Sequence, residues 1–398
     1  LKQPVYRFIW VLQMFQTSIV AREAVEHYNA SGQNLFSANP VGTGPFRLEE
    51  ISAERAVLAS NASFYSGRPY LDRIELRFYQ DDAAVYEARK NGQVQGMARV
   101  LPQHLASVRR DDDLTLHNAP LAGHNAVYLN LDRGAFQDPA VRQAMMWALD
   151  RQGLIDEILN GQGIVLHSPI LPHSWAYDPN VPRYDYNLKK AVSTLEDRGW
   201  FDDDEDGIRE RAGVRLEFTL LTNDDPVRVR LIEAISEQLA VVGIRAIPRS
   251  VTWEVLRDEV LPLRRYDAVL LGIQELPPDP DPYPYWHSSQ VSEIGFNFAN
   301  WNDARADALL QEARLTTDRD ERYRLYREFQ DLFARQVPSL LLYQPVYSYA
   351  VSSRVQGVQI GPLVSPCDRF QSVTDWYIAT QRMLYSEARN ERPDVRPR

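Results

Sequence analysis

The sequence predicts an α/β protein with more than one core, on three observations. From residue 138 onward, helical periods alternate with short apolar runs of strand length. Ahead of this, residues 35–80 read as β-rich, with glycine and proline turns between alternating segments. The chain has 398 residues, more than one hydrophobic core ordinarily serves, so two or more domains are expected.

The elements follow in order. Residues 8–20 are apolar but broken by Gln13 and Gln16, and Arg22 and Glu23 follow in place of small residues. This segment is read as buried chain and not as a signal peptide. Residue one is Leu1, so the native protein is expected to begin upstream, where a targeting signal would lie. Gly42, Gly44 and Pro45 make a turn ahead of two hairpin strands at 46–51 and 55–59, and 74–79 alternates as a half-buried strand. Asp81 or Asp82 caps a helix that Gly92 ends, and short strands follow near 96–100, 114–117 and 126–131. Asp138-Pro139 starts a helix whose apolar face is Val141, Ala144, Met145, Ala148 and Leu149. Further helices are expected at 151–159, 187–198, from Asp225-Pro226 to Gly243, 303–315 and 318–334. Strands are expected at 216–222, 244–251, 266–273 and 340–343. The charged, proline-containing stretch 385–398 reads as a disordered tail.

Composition removes several function classes. A net charge of −10 disfavours nucleic acid, which needs a basic face. No run reaches the ~20 apolar residues of a membrane-spanning helix. The single cysteine, Cys367, allows no internal disulfide and no cysteine-based zinc site. The seven histidines form no two-histidine helical zinc motif, and no serine sits in a nucleophile elbow. Neither a cofactor nor a catalytic group is expected. The acidic turn Asp202, Asp204, Asp206, Gly207 matches the first half of a calcium loop, but its twelfth position is Gly213 where a glutamate is needed. It is read as a charged turn, with a weak surface calcium site as the alternative.

The most unusual segment is residues 274–287, which holds Gln274, Glu275, Asp279, Tyr283, Tyr285 and Trp286 among five prolines. It directly follows a buried strand, where open α/β sheets place ligands. It is either the wall of a pocket or a stiff loop whose aromatics pack on their own lobe.

Several segments together resemble the extracytoplasmic solute-binding proteins of ABC importers, family 5, whose members bind peptides or nickel. They are the turn Pro40 to Phe46; Asn130 with Phe136, Asp138, Val141, Arg142 and Ala144; Gly199-Trp200 with Asp206-Gly207; Arg265 to Asp267 with Asp279-Pro280, Asn297 and Asn300; and Arg322, Tyr326 and Val337-Pro338. The resemblance covers about residues 1–384 and implies a two-lobed α/β fold of the periplasmic-binding-protein kind (type II, large cluster C), lacking the front of lobe I and most of an accessory subdomain. It implies the end of that subdomain at 1–33, lobe I at 34–129, lobe II at 130–345 and a return to lobe I at 346–384.

By the same resemblance the chain captures a small solute, most readily a peptide, between its lobes and delivers it unaltered to a membrane permease. It would do so as a periplasmic or cell-surface monomer. Expected ligand contacts are Trp253, Gln274, Glu275, Asp279, Tyr283, Tyr285, Trp286, Asn297, Tyr128 and Asn130. In peptide-binding members a carboxylate after the cleft strand pairs with the peptide amino terminus. Here that place holds Leu276, with Glu275 beside it. The other readings are a sensory module of the same fold, or a hydrolase using Glu275 and Asp279 as a carboxylate pair.

Overall fold

A computed structural model of the chain describes residues 21–29 and 40–378. The apolar segment at 8–20 and the tail at 385–398 lie outside the described residues. Eleven strands carry the architecture: β1 (Phe46–Ile51), β2 (Arg55–Ser60), β3 (Arg73–Arg77), β4 (Gly96–Met97), β5 (Leu114–Pro120), β6 (Gly123–Leu129), β7 (Gly163–Val165), β8 (Glu217–Asn223), β9 (Arg245–Val251), β10 (Ala268–Gln274) and β11 (Ser339–Ser352). The major helices are α1 (Pro139–Ala148), α2 (Arg151–Leu159), α3 (Leu188–Glu196), α4 (Pro226–Ala240), α5 (Ala304–Leu315) and α6 (Arg319–Gln336). Aspartates at 138, 150, 225, 303 and 318 cap five of these helices, each accepting from main-chain N–H groups of the first turn.

The larger body is a mixed sheet in the order β9-β8-β10-β6-β11, with β7 also paired to β11. Strands β9, β8 and β10 run parallel, while β6 is antiparallel to both β10 and β11. Its central strands are covered on both faces, so side chains of both parities are apolar. Val127, Leu129, Ala268, Leu270, Leu340 and Leu342 enter one core with α1–α4. Ala126, Tyr128, Val269, Leu271 and Leu341 enter the other, under α5 and α6. This double burial explains why residues 268–273 lack a polar alternation.

The sequence places the end of β11 near Tyr343. The strand instead runs on to Ser352 and leaves the larger sheet to pair with β5 and β4 in a second, smaller body. There Tyr347, Tyr349 and Val351 pack with Leu363 and Trp376. The strand stays extended because each half finds a hydrogen-bonding neighbour. Beside it, β5 passes into β6 through Pro120–Gly123: the Leu121 N–H donates to Pro345 O at 2.9 Å, and the Ala122 N–H to Leu363 O at 2.6 Å. We therefore place the first crossing between bodies at 120–123, earlier than the Asn130 read from sequence, since residues 126–129 of β6 already lie in the cores of the larger body.

Buried Arg142 ties α1 to the end of α6. Its Nε donates to Val337 O at 2.8 Å and to Gln336 O at 3.0 Å, and its Nη1 donates to Phe136 O. Burial lowers its pKa to about 10, which leaves it charged at neutral pH. Replacing Arg142 with methionine strands these carbonyls. The expected loss is about 3 kcal/mol of stability, read as a lowered urea midpoint.

Candidate functional site

Strands β8 and β10 pair only at Leu220–Ala268 and Leu221–Val269, although both run further. Beyond that point they splay. A cavity of about 590 Å³ opens between their carboxyl ends, lined by Asn223, Asp225, Arg228, residues 271–274, Trp253, Tyr285, Phe296 and Phe298. Gly272 makes the splay usable. A β-carbon there would lie 2.7 Å from Asn125 Oδ1 and 2.9 Å from Arg228 Nη2. Only glycine lets the guanidinium lie against the strand.

Arg228 stands in the first turn of α4, where the Asp225 cap also accepts its N–H at 3.0 Å. Its Nη1 donates to Asn223 Oδ1 at 3.3 Å, and it makes no ion pair among the described residues. Facing this cation are apolar rings. Trp253 is 42% exposed and Phe296 51% exposed, both large hydrophobes held at a cavity rim.

A second, more enclosed cavity of about 160 Å³ lies beside the first, and Tyr285 lines both. Its walls are Leu276 with Pro277, Pro278, Pro280 and Pro282, then Ala122 and His124 at the start of β6. Pro362–Val364 close it from the smaller body. Glu275 adopts φ 57°, a left-handed turn that ends the strand and leaves its side chain exposed, lining neither cavity. The Leu276 N–H then donates to Ala122 O at 3.0 Å. His124 is 1% exposed. Its Nε2 meets Tyr128 Oη at 2.9 Å, and its Nδ1 has no partner among the described residues. Burial pushes this imidazole down to about 4, so it is neutral at pH 7.

Of the ten residues expected to touch ligand, the structure brings Trp253, Gln274 and Tyr285 to the large cavity and Trp286 to the wall of the small one. Of the others, Glu275 is exposed, and the remaining five have internal duties. Asp279 is 1% exposed, accepting from Arg322 Nη2 at 3.0 Å and Trp175 Nε1 at 3.1 Å. With Asp279 so engaged and Glu275 turned outward, the carboxylate pair of a hydrolase does not form. Tyr283 stacks on His287 with centroids 4.0 Å apart and lies under Arg314 at 3.7 Å. Asn297 is fully buried, donating to His287 O and Trp301 O and accepting the Trp301 N–H at 3.1 Å. Tyr128 is core, stacked on Trp286. Buried Asn130 donates to the carbonyls of Arg264 and Tyr266. Trp286 itself is 1% exposed and mostly core.

Sequence reasoning missed Asn223, Asp225, Arg228, Phe296 and Phe298. The available signal was Gly272 inside a buried strand, a mark of close approach by another group. In the acidic turn, Asp202, Asp204 and Glu210 bring carboxylate oxygens within 4.8 Å of one another, while Asp206 turns to Arg215 at 2.5 Å.

A family model described as bacterial extracellular solute-binding proteins, family 5 Middle, matches residues 1–294. The chain belongs to this family. It is 30% identical over 328 residues to the oligopeptide-binding protein AppA of Bacillus subtilis, covering 81% of this chain and 60% of that one. It is 26% identical over 374 residues to the dipeptide-binding protein of Escherichia coli, covering 91% and 67%. The chain thus spans about 60% of the length of the first of these relatives. The solved structure of Bacillus subtilis AppA with a nonapeptide superposes with a TM-score of 0.72 at 27% identity, covering 96% of this chain and 75% of that one. HbpA2 of Haemophilus parasuis, at 21% identity and TM-score 0.80 over 95% and 72%, shares the fold. Family 5 is a solute-binding and not a catalytic family, and the two-lobed α/β expectation is met.

The duties of these side chains set two outcomes that unfolding can measure. Asp279→Asn breaks a buried ion pair, and urea unfolding should show a loss of about 3 kcal/mol. His124, neutral when folded, takes up a proton near pH 6.5 only when unfolded. Its contribution is therefore present above pH 6.5 and is lost as pH falls toward 4. His124→Gln should flatten the decline of melting temperature across that window. His167, also held at about 4 chiefly by burial, supplies part of the remaining slope.

Proposed function

We propose that this chain captures an extended, peptide-like solute in the splay between β8 and β10 and hands it, unaltered, to the permease of an ABC importer. The observation that carries this is Arg228. A cation without an ion-pair partner among the described residues lies against bare strand backbone, in a cavity where Trp253, Tyr285, Phe296 and Phe298 form much of the wall. That arrangement suits a ligand carboxylate, which a guanidinium binds in two-point geometry. Past Val269 the β8-facing edge of β10 has no backbone ladder partner among the described residues, and only Thr222 Oγ1 still reaches it, at Leu270 O. An extended backbone can add there, with Trp253, Phe296 and Phe298 receiving side chains. The names of the relatives, oligopeptide-binding and dipeptide-binding, support the same substrate class.

Capture works by bending. The two bodies are joined by the paired segments at 120–123 and 344–346, and closure over a ligand excludes water. In the lower dielectric the attraction between Arg228 and an anion strengthens. The ligand favours the closed form only by its greater affinity for it. Such a protein works outside the cytoplasm, as a monomer facing a permease. Among the described residues no helix is long and apolar enough to cross a membrane.

The test is native mass spectrometry of the full chain with a mixed-sequence tetrapeptide library. Peptides should be retained and released at unchanged mass. Arg228→Gln should weaken retention by about 10- to 100-fold, the worth of a charge-assisted hydrogen bond. The melting temperature of the empty protein should stay unchanged. Cleaved products, or equal retention by the variant, would end the proposal.

A further inference from the structure

The small cavity beside the cleft has a chemical character of its own, and the ligand it selects can be argued once the cleft is taken as a peptide site, a reading on which this inference rests. A peptide with free ends carries two opposite charges. The cleft offers Arg228 for the carboxylate, while its one lining acid, Asp225, is engaged through Oδ1 in capping α4. The small cavity is the adjoining compartment, with Tyr285 lining both spaces.

Its walls hold no carboxylate available to an ammonium. Asp281 is the only acid among its lining residues. It is 5% exposed, and Arg314 engages both of its oxygens, from Nε at 3.0 and 3.1 Å and from Nη2 at 2.5 Å. The neighbouring acids are also withdrawn. Asp279 is held by Arg322, and Glu275 is turned away by its left-handed backbone. At the position facing the strand end stands Leu276, inside the wall. The rest is prolines, aliphatic side chains, Tyr285 and Trp286, with His124, His173 and Ser174 as its uncharged polar groups. An ammonium placed here would lose its hydration and gain no countercharge, which is strongly unfavourable.

What the cavity does offer is neutral hydrogen bonding, from His124 with His173 and Ser174 beside it. The buried His124 presents a ring with Nδ1 unpartnered among the described residues, while Nε2 is held by Tyr128. A neutral imidazole nitrogen suits one neutral polar group such as an amide. The volume, about 160 Å³, is close to the ~150 Å³ of an apolar cavity that admits benzene. A short acyl group fits that space.

We propose that the ligand is an anion with an uncharged, apolar amino end: an N-acylated or otherwise amino-blocked peptide. Its carboxylate lies on Arg228, and its acyl head fills the cavity bounded by Leu276, the prolines and His124. Specificity against ordinary peptides then comes from the unrewarded cost of dehydrating an ammonium.

The experiment uses one mixed-sequence tetrapeptide library in four forms, with the amino end free or acetylated and the carboxyl end free or amidated. Each is incubated with the full chain and read by native mass spectrometry. The acetylated, free-acid form should be retained at least 10-fold more than the free-amine, free-acid form. Leu276→Asp, which places a carboxylate in the wall, should reverse that preference, and Leu276→Asn, of similar shape without the charge, should not. Free-amine peptides retained as well as acetylated ones by the unaltered protein overturn this inference and leave peptide capture standing. Retention of no form, or indifference to amidation, overturns the peptide reading itself and this inference with it. If Leu276→Asp fails to fold by circular dichroism, the preference of the unaltered protein decides.

Discussion

A sheet covered on both faces governs this molecule. Strands β6, β10 and β11 run between two cores and can carry almost nothing but apolar side chains while they do. Polar groups are admitted only where that cover ends. Thr222 and Asn223 close β8, Gln274 closes β10, and Gln344 sits where β11 leaves the larger body. The cleft begins at the same level, since strands that no longer share a core need not stay paired. The place for ligand is thus set by where burial stops.

Charge is distributed under the same rule. Burying a carboxylate requires a partner, and the loop after β10 meets this twice, with Asp279 on Arg322 and Asp281 on Arg314. These pairs pin a proline-rich segment onto α5 and α6 and consume the acids that looked fit for a ligand. Arg228, at the opposite side of the splay, is left available. The loop is therefore scaffold, with Gln274, Leu276 and Tyr285 as the parts that reach open space.

Much of this was legible in the sequence. Helix starts at Asp138-Pro139 and Asp225-Pro226 were readable because a capping carboxylate and a first-turn proline are local signals. The family motifs were readable because their order is fixed along the chain. The roles of Asp279, Asn297 and Tyr128 were not, since a buried polar group and a ligand contact look alike until its partner is known. Arg322, which decides the fate of Asp279, lies far along the chain on α6, and no spacing rule links them. Arg228 was hidden for a simpler reason: an arginine in the first turn of an amphipathic helix ordinarily faces water. The length of β11 was unreadable because its second half obeys a different core from its first.

That shared strand has a mechanical consequence. Residues 339–343 of β11 complete one sheet and residues 346–352 complete the other, with Pro345 between them fixing its own φ. Neither half of the molecule owns the strand. Cutting the chain at Pro345 would leave the larger sheet its half of the strand but part β4 and β5 from the half that lies between them, so the two bodies depend on its continuity. They hold together as a lever does, with one unbroken beam passing through the pivot.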